Sequence, residues 1–227
     1  METATTPTLT AKGERTREHI LTTALQLFSS EGYEATTMRD IAAAAGCALG
    51  LTYRYFARKE ELVLALYQRI LLEMEAQALN LPSVSLAERF ELMMHAKLAS
   101  LAPYREPFGA LMGAALNPTA DVAVLGPHTT EIRRRGKAIF QAVVTGAKDA
   151  PREQQSRDLA TLLYATHLGL ILFWLYDRTP NQRATEELLL LSLDALRLGR
   201  RLLRVPPIAS AMARLAYAID AVFAGGS

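Results

Sequence analysis

Cysteine is almost absent: Cys47 is the only one in 227 residues. No intramolecular disulfide can therefore form, and a reducing cytoplasm is the simplest home for the chain. The four histidines, His19, His95, His128 and His167, contain no HExxH pair. Glu88, Glu91 and His95 share a helix face, but without a second Glu-x-x-His element a bundle metal site is incomplete, and a structural hydrogen bond is the simpler role for His95. Glycine-rich phosphate loops and serine nucleophile elbows are missing, and no nucleophile is accompanied by a recognisable base and orienting group. No cofactor is implied, and an enzyme is left as an alternative reading. A run of about 20 apolar residues is also lacking. The nearest approach, LATLLYATHLGLILFWLY at residues 159–176, has 18 residues without a formal charge but includes Thr161, Thr166 and His167. A helix buried in a core and a subunit interface accounts for it without a membrane. METATTPTLTAKGE, at the N-terminus, lacks the apolar centre of a secretion signal, and residues 1–15 are expected to be a flexible arm.

What is present is hydrophobic, helical in period and locally basic. Half of the residues are hydrophobic, enough for a sizeable core, and the formal net charge is only +2. Global charge is thus uninformative, but residues 35–59 hold Arg39, Arg54, Arg58 and Lys59 against the single acid Asp40. Neither internal repeats nor alternating strand patterns occur, so the expected fold class is all-α.

The basic segment lies in residues 36–62, TTMRDIAAAAGCALGLTYRYFARKEEL. Thr37 can cap a helix over 38–45, Gly46 can take the left-handed conformation of a tight turn, and residues 49–55 make two turns of a second helix. Ile41, Ala44, Cys47 and Leu51 are then expected to face inward. Thr37, Arg39, Leu49, Gly50, Thr52, Tyr53, Tyr55 and Lys59 are left outward, a mixture of phosphate binders and small or aromatic groups suited to a DNA groove. Spacing alone would equally allow an ordinary helical hairpin.

The residues themselves go further. GLTYRYFARKEEL, preceded by TREHILTTALQLFSSEGYEATTMRDIAAAAG, resembles the DNA-binding domain of the TetR family of bacterial transcriptional repressors without a gap over residues 16–66. The resemblance implies an all-helical homodimer, with a helix-turn-helix domain at 16–62 and a ligand-binding and dimerisation domain at 63–224. It implies a recognition helix over 48–55 in the major groove, phosphate contacts from Thr37, Arg39 and Lys59, and a small-molecule effector that releases a palindromic double-stranded operator. The chain departs from the family pattern at Ala48, where a capping serine is common, and at Leu49, Leu51 and Arg54. A leucine can touch a thymine methyl but cannot read guanine bidentately, so Arg54 is the better candidate for direct readout. A ligand-binding or scaffold protein with a degenerate DNA motif is a further alternative.

Elsewhere the periodicity predicts helices over 16–30, 59–79, 86–116 with an interruption at 103–107, 128–148, 151–177, 183–204 and 208–223. Lys12, Arg15 and Arg17 are expected ahead of the first helix, as weak DNA contacts. Arg133, Arg134 and Arg135 read as a solvated face paired with Glu131. Phe108, Met112, Phe140, Tyr164, His167 and Trp174 are the expected lining of a largely apolar effector pocket. The two long helices after residue 150 have apolar residues on more than one face, which suits a four-helix dimer interface.

Overall fold

The computed structural model describes residues 10–202 and 205–223. Most of the expected N-terminal arm, the end of the helix expected to reach residue 204, and the GGS tail lie outside the described residues. Those described form ten α-helices and no strand.

The first helix, α1, spans Ala11–Glu31 and starts earlier than the expected residue 16, because Thr10 Oγ1 accepts from Gly13 N and fixes the first turn. Lys12 and Arg15 are consequently helical and exposed rather than part of an arm, while Arg17 stacks over the Phe56 ring at 4.8 Å. Gly32, at φ +91°, ends the helix. The next helix, α2, is Met38–Ala44, opened by reciprocal bonds between Thr37 and Asp40. It closes in a Schellman turn: Gly46 N donates to Ala43 O, Cys47 N donates to Ala42 O, and Gly46 has φ +61°. Helix α3 is Leu49–Tyr55, with no side-chain cap at Ala48. Helix α4, Lys59–Leu79, then runs out of this unit.

After the break at Pro82, Ser85 and Glu88 form a second capping box at the start of α5, Leu86–Leu101. A 3-10 turn at Ala102–Tyr104 leads into α6, Arg105–Leu116. The expected interruption over 103–107 is shorter in fact, because Pro107 sits in the first turn of α6, where its missing N–H costs no helical bond. Helices α7 (Thr130–Thr145), α8 (Glu153–Tyr176), α9 (Arg183–Leu202) and α10 (Pro206–Phe223) complete the described chain. Pro206 is the first residue of α10, two positions ahead of the expected start at 208. That last helix packs on α8.

Two apolar clusters share α4. One joins Ile20, Phe28, Ile41, Phe56, Leu62 and Leu66, and it extends to Leu101, Leu111, Val122 and Trp174 beyond residue 100. The other joins Leu71 and Met74 to Phe90, Phe140, Val143, Leu163 and Leu193. Helix α4 is thus a common beam whose first half is buried with the N-terminal helices and whose second half is buried with the others.

Asp177 holds the α8–α9 corner. Its carboxylate accepts from the backbone N–H and hydroxyl of Thr179 and from the backbone N–H and hydroxyl of Thr185, at 2.6–2.8 Å. The Thr179 and Thr185 hydroxyl bonds hold its pKa well below the ordinary 3.8. A carboxyl that is more acidic when folded adds stability above the unfolded pKa and loses it as pH falls through the folded one. Asp177→Asn should therefore be less stable than wild type at pH 7. The gap should shrink as chemical-denaturation curves are repeated from pH 4 downward.

A candidate DNA-reading surface and an interior cavity

Around the Gly46 turn, the outer surface differs from the sequence expectation at several points. Arg39, Ala48, Gly50, Tyr53 and Arg54 are exposed, with Tyr53 47% accessible. Thr37 is exposed as well, but its hydroxyl is committed to the capping box with Asp40. Thr52, expected outside, is fully buried and donates to Ala48 O; it lies on the inner side of α3 and packs there. Leu49 and Tyr55 are half-buried and pack against the N-terminal core. On the inner face Ala44 is exposed, and the buried alanines are Ala42 of α2 and Ala45 just after its end.

Lys59, expected to hold a phosphate, is directed inward. Its ammonium donates to Tyr33 O at 2.5 Å and Thr36 O at 3.1 Å and lies 4.2 Å from the Tyr33 ring centroid. These contacts close the loop ahead of α2. Arg58 forms a close ion pair with Asp121, which also lies 3.7 Å from His128. The basic groups left unpaired on the α2–α3 surface, among the described residues, are Arg39 and Arg54. Arg54 follows the exposed Tyr53 on α3, and the same helix carries Gly50, where an added Cβ would meet nothing within 4 Å. Cations, an aromatic edge and accessible backbone on two short helices make a surface suited to a DNA groove and its phosphates.

Behind this unit lies a cavity of about 570 Å³. Helices α4, α6, α7 and α8 supply most of its wall, and Phe223 of α10 closes one side. Of the six expected lining residues, Phe108, Met112, Tyr164 and His167 do line it. Phe140 and Trp174 do not: Phe140 is wholly buried behind His167, ring centroids 4.8 Å apart, and Trp174 belongs to the core cluster shared with the N-terminal helices. Close packing of α7 on α8 depends on Gly136, where a Cβ would come within 2.7 Å of Tyr164 Cε2.

The polar groups on the wall are few. His167 Nδ1 donates to Tyr164 O at 2.8 Å, so the neutral ring leaves Nε2 as an acceptor. Burial, together with the nearby Lys97 charge, pushes the His167 pKa down to about 3 and keeps the ring neutral. Burial also raises the Tyr164 phenol to about 12. Lys97 was not singled out from the sequence. Lys97 occupies the same stripe of α5 as Phe90, Met94 and Leu101, and a lysine in that register was the available signal. Arg133 was read as solvated but is 3% exposed, because it shares the buried stripe of α7 with Gly136 and Phe140. Its guanidinium donates to the carbonyls of Val124, Gly126 and Phe223 and to the hydroxyls of Thr129 and Thr130. Its neighbours Arg134 and Arg135 pair with Glu131 and Glu75.

Comparison with known proteins matches both regions. Residues 20–66 fit the profile of bacterial regulatory proteins of the tetR family, and residues 89–212 fit that of a tetracyclin repressor-like C-terminal domain. The HTH-type transcriptional repressor KstR of Rhodococcus jostii (strain RHA1) is 28% identical over 171 residues, which is 74% of this chain and 76% of that one. The HTH-type transcriptional regulator AcrR of Shigella flexneri is 35% identical over 89 residues, covering 37% of this chain and 41% of its own. Among solved structures, a TetR transcriptional regulator from Nitrosomonas europaea ATCC 19718 superposes with a TM-score of 0.61 at 23% identity, over 78% of this chain and 95% of the other. NalD, the secondary repressor of the MexAB-OprM multidrug efflux pump in Pseudomonas aeruginosa, gives 0.59 at 24% identity over 79% and 94%. These two superpositions show a shared fold.

Proposed function

Because the chain belongs to the TetR family of bacterial transcriptional regulators, we propose that it is a cytoplasmic homodimeric repressor which leaves a palindromic operator when a small, largely apolar molecule fills the interior cavity. Arg54 and Tyr53 read base edges, while Arg39, Thr37 and Gly50 approach phosphates. The domain division proposed at residue 62 falls in the first turn of α4, so the same helix serves both halves.

One observation carries the coupling. Tyr67, Ile70, Leu71 and Met74 of α4 line the cavity, while Leu62, Val63 and Leu66 of α4 are buried among the helices that position α3. A ligand against one half of a rigid helix acts on the other half through packed contacts. The α6 wall adds a second link, since α6 packs on α1 and Ser29 donates to Glu106 across that contact. The effector needs only a higher affinity for the α4 position that misplaces the recognition helices.

Dimerisation is assigned to α8 and α9. Phe173 and Tyr176 on α8 and Leu190, Leu191 and Leu198 on α9 are exposed large apolar residues, an amount of uncovered surface that a second copy would bury. The test combines DNA affinity with oligomeric state. The wild-type protein should sediment as a dimer and bind a duplex from its own upstream region in preference to a scrambled one. Raising salt from 50 to 200 mM should weaken binding on the order of a hundredfold or more, given several phosphate contacts. A Leu191→Glu, Leu198→Glu double variant should sediment as a monomer and lose the preference. Equal affinity for both duplexes would remove the operator reading, and an unchanged dimer in the double variant would remove the α9 interface.

A further inference from the structure

We propose that the molecule held in the cavity is a monoanionic amphiphile, an apolar body ending in one carboxylate, and that Lys97 Nζ binds the carboxylate. This inference rests on the cavity being the effector site and specifies the chemistry that the site selects.

The wall of the cavity carries two cationic side chains, Lys97 and Arg133, and among its lining residues there is no Asp or Glu. Arg133 already donates to three carbonyls and two hydroxyls, all uncharged, so it is held firmly in place while its charge is not neutralised. Lys97 is in the opposite condition. It is 5% exposed, and among the described residues its ammonium makes no hydrogen bond and has no carboxylate within ion-pair distance. Glu73, the carboxylate acting on it at longer range, accepts from Ser100 Oγ and is not part of the cavity wall. A buried ammonium with no carboxylate within ion-pair distance is a costly arrangement, and a ligand carboxylate supplies a close partner.

The remaining groups narrow the choice. Tyr67 from α4 and Tyr164 from α8 add phenols, and among the described residues the Tyr164 hydroxyl has no hydrogen-bond partner. Both can donate to a second carboxylate oxygen. His167 is neutral with Nε2 as an acceptor, so it adds no second charge beside Lys97. A dianionic phosphate would need more donors than one ammonium and two phenols. An amine would face two cations, and an uncharged ligand would bury Lys97 more deeply without a partner. The volume of about 570 Å³ falls within the range of pockets that take a drug-sized apolar body.

The pairing has a proton signature. Burial holds the Lys97 pKa down to about 7, and a bound carboxylate raises it. Carboxylate affinity should therefore be level below pH 7 and fall as pH rises above it, since the free protein has then lost the proton that the complex requires.

The experiment is displacement of the neutral dye N-phenyl-1-naphthylamine from the full-length protein by dodecanoate, 1-dodecanol and dodecylammonium at pH 6.5 and 8.5. Dodecanoate should bind about tenfold or more tightly than 1-dodecanol at pH 6.5, with dodecylammonium weakest, and only the dodecanoate constant should weaken at pH 8.5. Lys97→Met should abolish both the preference and the pH dependence, and Lys97→Arg should retain the preference. Equal binding of acid and alcohol to the wild-type protein, or an unaltered pH profile in Lys97→Met, would overturn the assignment while leaving an apolar effector cavity in place. Failure of the dye and of all three competitors to bind would remove the cavity as an effector site, and this assignment with it.

Discussion

Lys97→Met is expected to raise the thermal midpoint of the ligand-free protein at pH 6.5 by about 5 °C or more, the sign opposite to that of most core substitutions. The ordinary lysine pKa of 10.5 falls to about 7 in the folded chain because burial penalises the ammonium, an effect only partly offset by Glu73. Each pKa unit corresponds to about 1.4 kcal/mol, so holding the charged form in the fold costs on the order of a few kcal/mol at neutral pH and below. A chain of this size gains roughly 2–4 °C per kcal/mol. Methionine keeps most of the stem, adapts to an irregular wall and leaves no charge behind. The sign with pH is fixed as well. Between about pH 7 and 10.5 the unfolded lysine retains a proton that the folded one has released, so wild-type stability rises through that window and the advantage of Lys97→Met closes. Melting curves at pH 6.5, 8 and 9.5 read this directly. A variant less stable than wild type at every pH would show that Lys97 is well solvated in the fold.

Arg54→Ala is expected to weaken operator binding by about thirtyfold to a few ten-thousandfold while leaving the dimer and its melting temperature nearly unchanged. A bidentate arginine contact to guanine is worth about 1–3 kcal/mol, and a two-fold dimer on a palindrome loses that contact twice. Arg54 is exposed at the end of α3 and has no partner among the described residues, so its removal leaves no orphaned group in the fold. Discrimination should relax at one symmetric pair of base positions. Affinity for scrambled DNA should fall much less. A uniform loss across all sequences would instead make Arg54 a phosphate contact. Arg58 provides the contrast, because its ion pair with Asp121 already occupies it within the protein.

The helices and the helix-turn-helix were legible in the sequence because apolar period, caps and turn residues are local signals. Thr37 with Asp40, Gly46 and the KEEL start of α4 each state their role within four residues. The start of α1 was misplaced because Thr10 sits among several threonines and the apolar stripe begins only at Ile20. At the DNA surface, exposure followed from spacing for Arg39 and Tyr53. It failed for Thr52, which the packing of α3 turns inward, and for Lys59, whose direction depends on Tyr33 and Thr36 brought close by folding. The cavity was the least legible part. Apolar and aromatic residues look alike in a wall and in a core, so Phe140 and Trp174 could not be separated from Tyr164 without the packing. The two cations were readable in principle, since Lys97 and Arg133 each interrupt an apolar stripe. A charged residue in that register tells more about a pocket than another phenylalanine does.

Cys47 is half-buried in the turn between α2 and α3, its thiol donating to Ala45 O. In the proposed dimer, the chain's single thiol becomes two, one beside each recognition helix and none elsewhere. The natural sequence thereby carries a symmetric pair of attachment points for a spin label or dye. The separation of the two reading heads, with and without a carboxylate in the cavity, can be measured as a distance distribution without engineering a reporter.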